Sequence, residues 1–241
     1  MAIMHHILAA RSQSHKLLVL LIDPDKQDTW SALSPYLALP DLIFVGGSTG
    51  QQTEACIAYL RQFTELPILL FPGNIAQFTP MADALLFLTL LNAQSPDVLI
   101  NPHIAIAQRV MQSGIESIPM GYILVDGGCT TSVEIAANCH PISQTAVDHI
   151  TAVAAAGQLL GKQLIYLEAG SGAHHPVAPS VIRSVRSHLS LPLIVGGGIC
   201  TPQAMLDAFD AGADIVVIGN HFEQNPDEIV DFVRLKQQKY G

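Results

Sequence analysis

The sequence predicts a single (β/α)8 barrel, the TIM-barrel fold, spanning residues 1–241 as one domain. Eight short β-rich apolar runs recur along the chain, and helix-compatible stretches separate most of them, which is the alternation of a closed parallel barrel. The chain has 241 residues, 49% of them hydrophobic and 13% charged, which suits one large core. The predicted strands are 17–22, 42–45, 68–71, 84–88, 120–125, 163–167, 193–195 and 215–218.

The runs are continuous rather than alternating, which is typical of parallel strands that are covered on both faces. Helices are predicted over 53–62, 146–160, 202–211 and 226–238. The third unit differs, because only residues 74–80 separate its strand from the next, whereas a parallel crossover normally needs about ten to twelve residues. We expect a loop or one helical turn there. Residues 1–11 predict a short helix that covers the bottom of the barrel.

Composition excludes several classes of function. The formal charge is −9 with only 11 Lys and Arg residues, which leaves no basic stripe for nucleic acid. The longest apolar runs have strand length, far below the roughly 18 residues of a membrane span, and the N-terminus lacks a secretory signal. We expect a cytoplasmic protein. The four cysteines form no CxxC pair, so neither a disulfide framework nor a thiolate metal site is indicated.

Glycine-rich segments follow several predicted strands, at the end of the barrel where enzymes of this fold carry their sites. The most informative are Tyr166–Gly172, Gly196–Ile199 and Gly219–Asn220. Glycine lets the backbone approach a ligand, and the helices that follow direct N–H groups at an anion. With so few cations, a phosphate would be bound largely by backbone. The alternative is that these glycines only form tight turns.

Asp23 and Ser48 follow neighbouring strands, and a carboxylate with a hydroxyl suits Mg²⁺ completed by the oxygens of a diphosphate. The alternative for Asp23 is a turn or helix cap before Pro24. Asp25 and Lys26 fit solvent-facing positions as readily as ligand contacts.

Glu168 ends an apolar strand, where a carboxylate needs a partner such as a ligand hydroxyl or Tyr166. We interpret Glu168 as a general base, with a structural salt bridge as the alternative. His174 and His175 fit loop residues lining the site better than metal ligands, because adjacent histidines point apart. Trp30 fits a core or interface position.

Five segments in this order resemble the geranylgeranylglyceryl phosphate synthases across nearly the whole chain. They are DPDK at 23–26, GGST at 46–49, YLEAGSG at 166–172, VGGGI at 195–199 and GN at 219–220. The resemblance implies a Mg²⁺-dependent prenyltransferase that joins sn-glycerol 1-phosphate to a polyprenyl diphosphate such as geranylgeranyl diphosphate, forming an ether-lipid precursor and diphosphate.

The resemblance also implies the roles of particular residues. Asp23 and Ser48 would hold Mg²⁺, and Glu168 would take the proton from the attacking hydroxyl with Tyr166 beside it. The glycerol phosphate would be bound by Tyr166, Leu167, Glu168, Ala169, Gly170, Ser171, Gly172, Gly197, Gly198, Gly219 and Asn220.

One position departs from part of the family. Members from the bacilli are similar to KLDPNK, with a lysine two residues before the metal aspartate, and here that residue is Leu21. The chain therefore resembles the second group of the family, which implies a homo-oligomer, a dimer or hexamer. An apolar trough for the prenyl tail is expected near Phe71, Leu91, Ile100 and Ile104, with transient contact at a membrane surface.

Two other functions fit part of the pattern. A phosphate-binding isomerase or lyase would share the glycine motifs but need paired acids and bases on other strands. A non-catalytic polyprenyl-phosphate binder would bind the donor without releasing diphosphate.

Overall fold

Eight parallel strands close into a barrel in the computed structural model, which describes residues 3–47 and 50–241. Each strand pairs with the next in sequence, and the eighth pairs with the first. The predicted fold is thereby confirmed. The strands are β1 Leu17–Ile22, β2 Leu42–Val45, β3 Ile68–Leu70, β4 Ala84–Leu90, β5 Glu116–Leu124, β6 Leu164–Glu168, β7 Leu193–Gly196 and β8 Ile215–Ile218.

Helices surround the barrel everywhere except after β3. There a single 3-10 turn, Ile75–Gln77, replaces the helix, as the short spacing predicted. Two more 3-10 turns cover Ser34–Tyr36 and Pro226–Glu228. The α-helices are α1 Ile3–Ser12, α2 Gln27–Leu33, α3 Thr53–Leu60, α4 Pro96–Leu99, α5 Asn101–Ser113, α6 Ser132–Ala137, α7 Val147–Leu159, α8 Pro179–His188, α9 Pro202–Ala211, α10 Asn220–Gln224 and α11 Ile229–Tyr240.

The strands bury both faces, because side chains alternate between two apolar clusters. Leu17 and Val19 belong to the cluster inside the barrel. Leu18 and Leu20 belong to the cluster between the barrel and its helices. This double burial explains the continuous apolar runs in the sequence.

Helix α1 closes the bottom of the barrel, as predicted. Ile3, Ile7 and Ala10, spaced along one helical face, are buried against the inner cluster. The carboxylate of Glu116, at the start of β5, accepts hydrogen bonds from the N–H groups of Ile3 and Met4 at 2.5 and 2.9 Å. An acidic group at a helix N-terminus satisfies N–H groups that the helix leaves unpaired.

Charged side chains at the bottom are paired. Asp214, which precedes β8, accepts bonds from Arg186 and from the Leu193 N–H, both at 2.9 Å, and lies 3.4 Å from Arg11. Asp41 pairs with Lys236 of α11. No helix among the described residues is both long and apolar enough to cross a membrane.

Candidate active site

A cavity of about 470 Å³ opens at the C-terminal end of the barrel. One half is polar and lies over the ends of β1, β6, β7 and β8. The other half is apolar and extends over β3, β4 and β5 toward α5 and α6. A polar pocket joined to an apolar compartment suits a ligand, or a pair of ligands, with a charged end and a long apolar end.

Three loops form a glycine cradle in the polar half, defined here as residues 170–172, 197–199 and 219–220. Gly170, Gly172, Gly197 and Gly198 all have positive φ. At Gly197 a Cβ atom would lie 2.3 Å from Glu168 Oε1 and 2.6 Å from the Gly170 nitrogen, so no other residue fits without displacing both loops. The close approach of the two loops therefore requires glycine at 197. The alternative that this glycine only forms a tight turn does not account for that approach.

The cradle presents backbone donors to the cavity. The amide N–H groups of Ser171, Gly172, Gly198 and Ile199 have no hydrogen-bond partner among residues 3–47 and 50–241. The Asn220 side chain donates to Ser171 Oγ at 2.7 Å and ties the loop after β8 to the loop after β6. All four residues line the cavity, and unpaired backbone N–H groups in such a place can bind an anion, including phosphate.

Glu168 lies beneath the cradle at the end of β6 and is buried, with 7% of its surface exposed. Its Oε1 atom accepts a hydrogen bond from the Gly170 N–H at 2.7 Å, and the carboxylate also accepts one from the Tyr166 hydroxyl. Among the residues described, no Lys, Arg or His forms an ion pair with it. Tyr166 is thus its side-chain partner, and within residues 3–47 and 50–241 no salt bridge to it is present.

Burial raises the pKa of the Glu168 carboxyl above its ordinary value, and the two hydrogen bonds oppose that shift only in part. Burial and the negative charge of Glu168 raise the pKa of Tyr166 well above its ordinary value, so the phenol stays protonated and donates. A carboxylate with a raised pKa is a stronger base than an exposed one, which suits proton abstraction.

An aromatic cluster forms the floor between the two halves. The ring of Tyr166 stacks on Phe71 at 5.4 Å and contacts Tyr122 at 5.3 Å, measured between ring centroids. All three residues line the cavity. The faces of such rings stabilise a nearby positive charge.

Asp23 lies at the mouth of the polar half, directly after β1. Its Oδ1 atom accepts a hydrogen bond from the Asp25 N–H at 3.0 Å, and its side chain is 24% exposed. Ser48, the other predicted Mg²⁺ ligand, lies outside the described residues. No group of three or more His, Cys, Asp or Glu side chains among the described residues could hold a metal. One accessible carboxylate beside a phosphate site still fits Mg²⁺, which takes most of its ligands from water and substrate.

Two buried polar groups that sequence reasoning missed organise the mouth of the cavity. Glu223 of α10 accepts a hydrogen bond from Lys26 at 2.5 Å and another from the Asp23 N–H at 3.3 Å. Gln77, which is 1% exposed, accepts from the Gly73 N–H at 2.5 Å and donates to the Gly47 carbonyl at 2.8 Å. Neither residue lies in a recognisable motif, so no signal in a single sequence marked them.

The apolar half differs from the predicted trough. Phe71 lines it, as expected, whereas Leu91 packs against Gly121 and Gly157 outside the barrel, so its assignment was wrong. Ile100, directly before α5, and Ile104, on α5, are exposed and lie outside the lining as well. The side chains that line this half are Leu85, Leu86, Phe87, Leu88, Leu90, Val98, His103, Ile106, Val133, Ala136 and Ala137.

Most of the predicted site residues that the structure describes come together in the cavity. Leu167 and Ala169 pack in the outer cluster and do not line it. His174 and His175 lie in the loop after β6, as predicted, but among the described residues the cavity lining in that loop ends at Ala173. The predicted residues that line the cavity are Asp23, Tyr166, Glu168, Gly170, Ser171, Gly172, Gly197, Gly198, Gly219 and Asn220.

Trp30 occupies the core, as expected. It is 7% exposed, and its indole N–H donates to the Asp23 carbonyl at 3.3 Å. It therefore supports the backbone of the predicted metal ligand from below.

Together, the fold and the cavity define an enzyme-type (β/α)8 barrel, with a backbone anion cradle and a buried carboxylate at the C-terminal ends of its strands. The chain belongs to the PcrB family, whose model matches residues 10–236. The family resemblance predicted from the motifs is confirmed by its relatives. A geranylgeranylglyceryl phosphate synthase of Zunongwangia profunda is 44% identical over 226 residues, covering 92% of this chain and 97% of the relative. One from Korarchaeum cryptofilum is 36% identical, covering 94% and 96%.

Solved structures agree. The (S)-3-O-geranylgeranylglyceryl phosphate synthase of Thermoplasma acidophilum, crystallised with its substrate sn-glycerol-1-phosphate, is 32% identical with a TM-score of 0.90, covering 99% of both chains. The Thermoplasma volcanium enzyme is 30% identical with a TM-score of 0.88, covering 100% of this chain and 98% of that one. An N-acetylmannosamine-6-phosphate 2-epimerase from Clostridium perfringens shares the fold alone, at 12% identity and a TM-score of 0.53 over 89% of this chain and 92% of that one.

Proposed function

We propose that this protein transfers a polyprenyl group, geranylgeranyl or a close relative, from its diphosphate to the sn-3 hydroxyl of sn-glycerol 1-phosphate. The products are geranylgeranylglyceryl phosphate, an ether-lipid precursor, and diphosphate. The observation that carries the proposal is the cavity itself, which joins an anion cradle, a buried carboxylate and an apolar compartment within one space. The names of the relatives, and the glycerol phosphate bound by one of them, support it.

The acceptor occupies the glycine cradle in this proposal. Its phosphate is bound by the N–H groups of Ser171, Gly172, Gly198 and Ile199, which face no protein partner within the described part of the chain. Its hydroxyls then lie toward Glu168, which the Gly170 N–H holds in place.

Glu168 acts as the general base. As the C1–O bond between the prenyl group and the diphosphate breaks, the glycerol oxygen forms a new bond to C1 and its proton passes to the Glu168 carboxylate. Tyr166 orients that carboxylate through its hydrogen bond. Positive charge that develops at the allylic carbon lies over the aromatic floor of Phe71, Tyr122 and Tyr166, whose ring faces attract cations.

Asp23 serves the donor. It lies on the side of the cavity toward the β1 and β8 ends, away from the apolar half, and its exposed carboxylate fits a Mg²⁺ ligand. A Mg²⁺ ion held there would supply positive charge to offset that of the diphosphate leaving group. Ser48 completes the predicted ligand pair but lies outside the described residues.

The apolar half accepts the prenyl chain. The missing third helix leaves the outer face of β4 open toward α5, so Phe87, His103 and Ile106 reach the cavity. His103 bonds the Leu88 carbonyl at 2.6 Å and packs on Phe87 at 4.6 Å, which fixes the wall on that side.

The deciding experiment incubates the purified protein with sn-glycerol 1-phosphate, Mg²⁺ and prenyl diphosphates of several lengths, and identifies the lipid products by mass. Formation of the ether with release of one diphosphate supports the proposal. The control replaces sn-glycerol 1-phosphate with its enantiomer, sn-glycerol 3-phosphate.

The same assay separates the two alternatives. Donor binding without diphosphate release favours a non-catalytic binder, and turnover of a sugar phosphate or similar metabolite without a prenyl donor favours an isomerase or lyase. The apolar half favours the transferase, because a small phosphorylated metabolite has no group to fill it. We further expect a homo-oligomer, a dimer or hexamer, which light scattering measures directly.

A further inference from the structure

The charge balance of the cavity is unusual for a site that binds a phosphate and a diphosphate together. These substrates bring several negative charges, and Asp23, Asp97, Glu168 and Glu223 add more around the same space. Among the described residues that line the cavity, Lys26 is the one lysine or arginine.

The remaining cations of the chain are engaged elsewhere. Lys16, Arg11 and Arg186 gather around Asp214 at the bottom of the barrel. The others contact residues outside the cavity or lie outside its lining, and they are Arg61, Arg109, Lys162, Arg183, Arg234, Lys236 and Lys239.

Lys26 lies between the two ligands of the proposed function. Its Nζ atom is 3.2 Å from Asn220 Oδ1, in the cradle, and 3.9 Å from Asp23 Oδ2, on the donor side. Its side chain is 43% exposed, so the ammonium remains accessible to a ligand. The cradle already supplies backbone donors for the acceptor phosphate, whereas the donor side has no other cationic side chain in the described lining.

Glu223 explains why Lys26 stays there. Its side chain is only 5% exposed, and a buried carboxylate needs a partner to offset its lost hydration. Its Oε2 atom holds the Lys26 ammonium at 2.5 Å, while Oε1 accepts the Asp23 N–H at 3.3 Å. The ammonium is therefore drawn from Asp23, whose carboxylate stays available, and is fixed at the mouth of the cavity.

We propose that Lys26 binds the diphosphate of the prenyl donor and that Glu223 is the positioning residue that holds Lys26 for this contact. The proposal rests on the proposed function, because it assigns the donor to the Asp23 side of the cavity. It gives a role to Lys26 and to its buried partner Glu223, neither of which had one from the motifs.

The test uses the intact protein and compares Lys26→Met, Lys26→Arg and Glu223→Gln with the parent. Steady-state kinetics give KM for geranylgeranyl diphosphate and for sn-glycerol 1-phosphate separately, at saturating Mg²⁺. We expect Lys26→Met to raise the donor KM by about 10- to 100-fold, the worth of one charge-assisted contact, with little change in the acceptor KM. Lys26→Arg keeps the charge and should restore most of the donor affinity.

Glu223→Gln should raise the donor KM by a smaller factor, because the lysine remains but is no longer fixed. Lys239→Met is the matched control, since Lys239 is 41% exposed and also pairs with a carboxylate at 2.5 Å, but lies at the other end of the barrel. It should leave both KM values unchanged.

Several outcomes would overturn the assignment. An unchanged donor KM in Lys26→Met, or a loss confined to the acceptor, contradicts donor binding by Lys26. Tighter donor binding in Glu223→Gln would show that Glu223 merely neutralises the lysine. If the parent itself forms no ether product, the proposed function fails first, and direct titration of geranylgeranyl diphosphate into parent and Lys26→Met still tests the lysine alone.

Discussion

Two buried carboxylates at opposite ends of this barrel, Asp214 at the bottom and Glu168 at the top, differ in whether a cation accompanies them. At the bottom, Asp214 pairs with Arg186 and Arg11, and the Glu116 carboxylate caps helix α1. At the top, Glu168 is equally buried but has no cationic partner in the described part of the chain, only hydrogen bonds from Tyr166 and Gly170.

The difference separates stability from function. A carboxylate that is paired with a cation stabilises the packing of the elements it joins. The cation favours the ionised form, so such a carboxylate is a weak proton acceptor. The burial of Glu168 without a cation raises its pKa and prepares it to take a proton, at a cost in free energy of folding. In barrels of this kind, the bottom face generally carries stability and the top face carries chemistry.

The largest effect expected is on the chemical rate of Glu168→Gln. The substitution keeps the shape of the side chain and removes its basicity, so the rate should fall by about 10² to 10⁴ while both substrates still bind. Single-turnover measurement with both ligands saturating isolates this step from product release. Glu116→Gln, a carboxylate at the other end, should leave the rate unchanged. If Glu168→Gln is as fast as the parent, Glu168 only orients the acceptor.

The converse effect is expected at the bottom, where Asp214→Asn should reduce the free energy of unfolding and spare activity. It leaves the partly buried Arg186 and Arg11 without their anion, which costs about 2–4 kcal/mol. Urea denaturation measures the loss, and kcat of the folded protein should be unaffected. The control is Asp231→Asn, which breaks an exposed pair with Arg234 and should cost about 0–1 kcal/mol. A loss as small as the control's would mean that pairing at the bottom contributes little.

A third test compares two glycines with positive φ. A Cβ at Gly197 would lie 2.3 Å from Glu168 Oε1, whereas one at Gly114, before β5 at the bottom, would meet nothing within 4 Å. Gly197→Ala should weaken sn-glycerol 1-phosphate binding on the order of 10-fold, the worth of one lost contact to a charged group, and affect the prenyl diphosphate less.

Gly114→Ala introduces the same backbone strain without crowding a site, so both affinities should be retained. Calorimetric titration of each ligand decides the matter. A loss confined to the prenyl donor would mean that the cradle had been assigned to the wrong ligand.

The sequence was informative where local chemistry is diagnostic. Apolar runs bounded by glycine marked the strands, and positive φ with close approach explains why the cradle needs glycine at 197 and 198. The apolar wall was less predictable, because both faces of β4 contribute to it: Leu86 belongs to the inner cluster and Phe87 packs against the outer one, so the apolar run itself does not show where the lining ends. Leu90 lines the cavity, while Leu91, one residue on, packs outside the barrel.

Partners that are distant in sequence were also out of reach. Glu223 and Lys26 are 197 residues apart and meet only because β8 closes on β1. Each side chain by itself fits a solvated position on a short helix or turn. The closed barrel predicts that the ends of β1 and β8 lie side by side. Which side chains meet there depends on rotamers and loop geometry, which the sequence does not show.

The smallest effect expected concerns stability as a function of pH, and it tests the contrast between the two ends directly. Because burial raises the folded-state pKa of Glu168 above its unfolded value, the fold favours the protonated form. That contribution to stability is fully present below the unfolded pKa and is lost as pH rises through the raised folded pKa. The side chain of the Glu168→Gln variant does not titrate. The difference between its thermal midpoint and that of the parent should therefore increase as pH rises across that window, and the variant should have the higher midpoint at neutral pH.

Glu116→Gln should instead lower the midpoint at neutral pH, since it weakens two bonds to the N–H groups of α1. Thermal denaturation of the parent and the two variants from acidic to neutral pH shows whether each substitution raises or lowers the midpoint. If Glu168→Gln is less stable than the parent at neutral pH, the hydrogen bonds from Tyr166 and Gly170 outweigh the effect of burial. The ionised Glu168 would then not destabilise the folded protein.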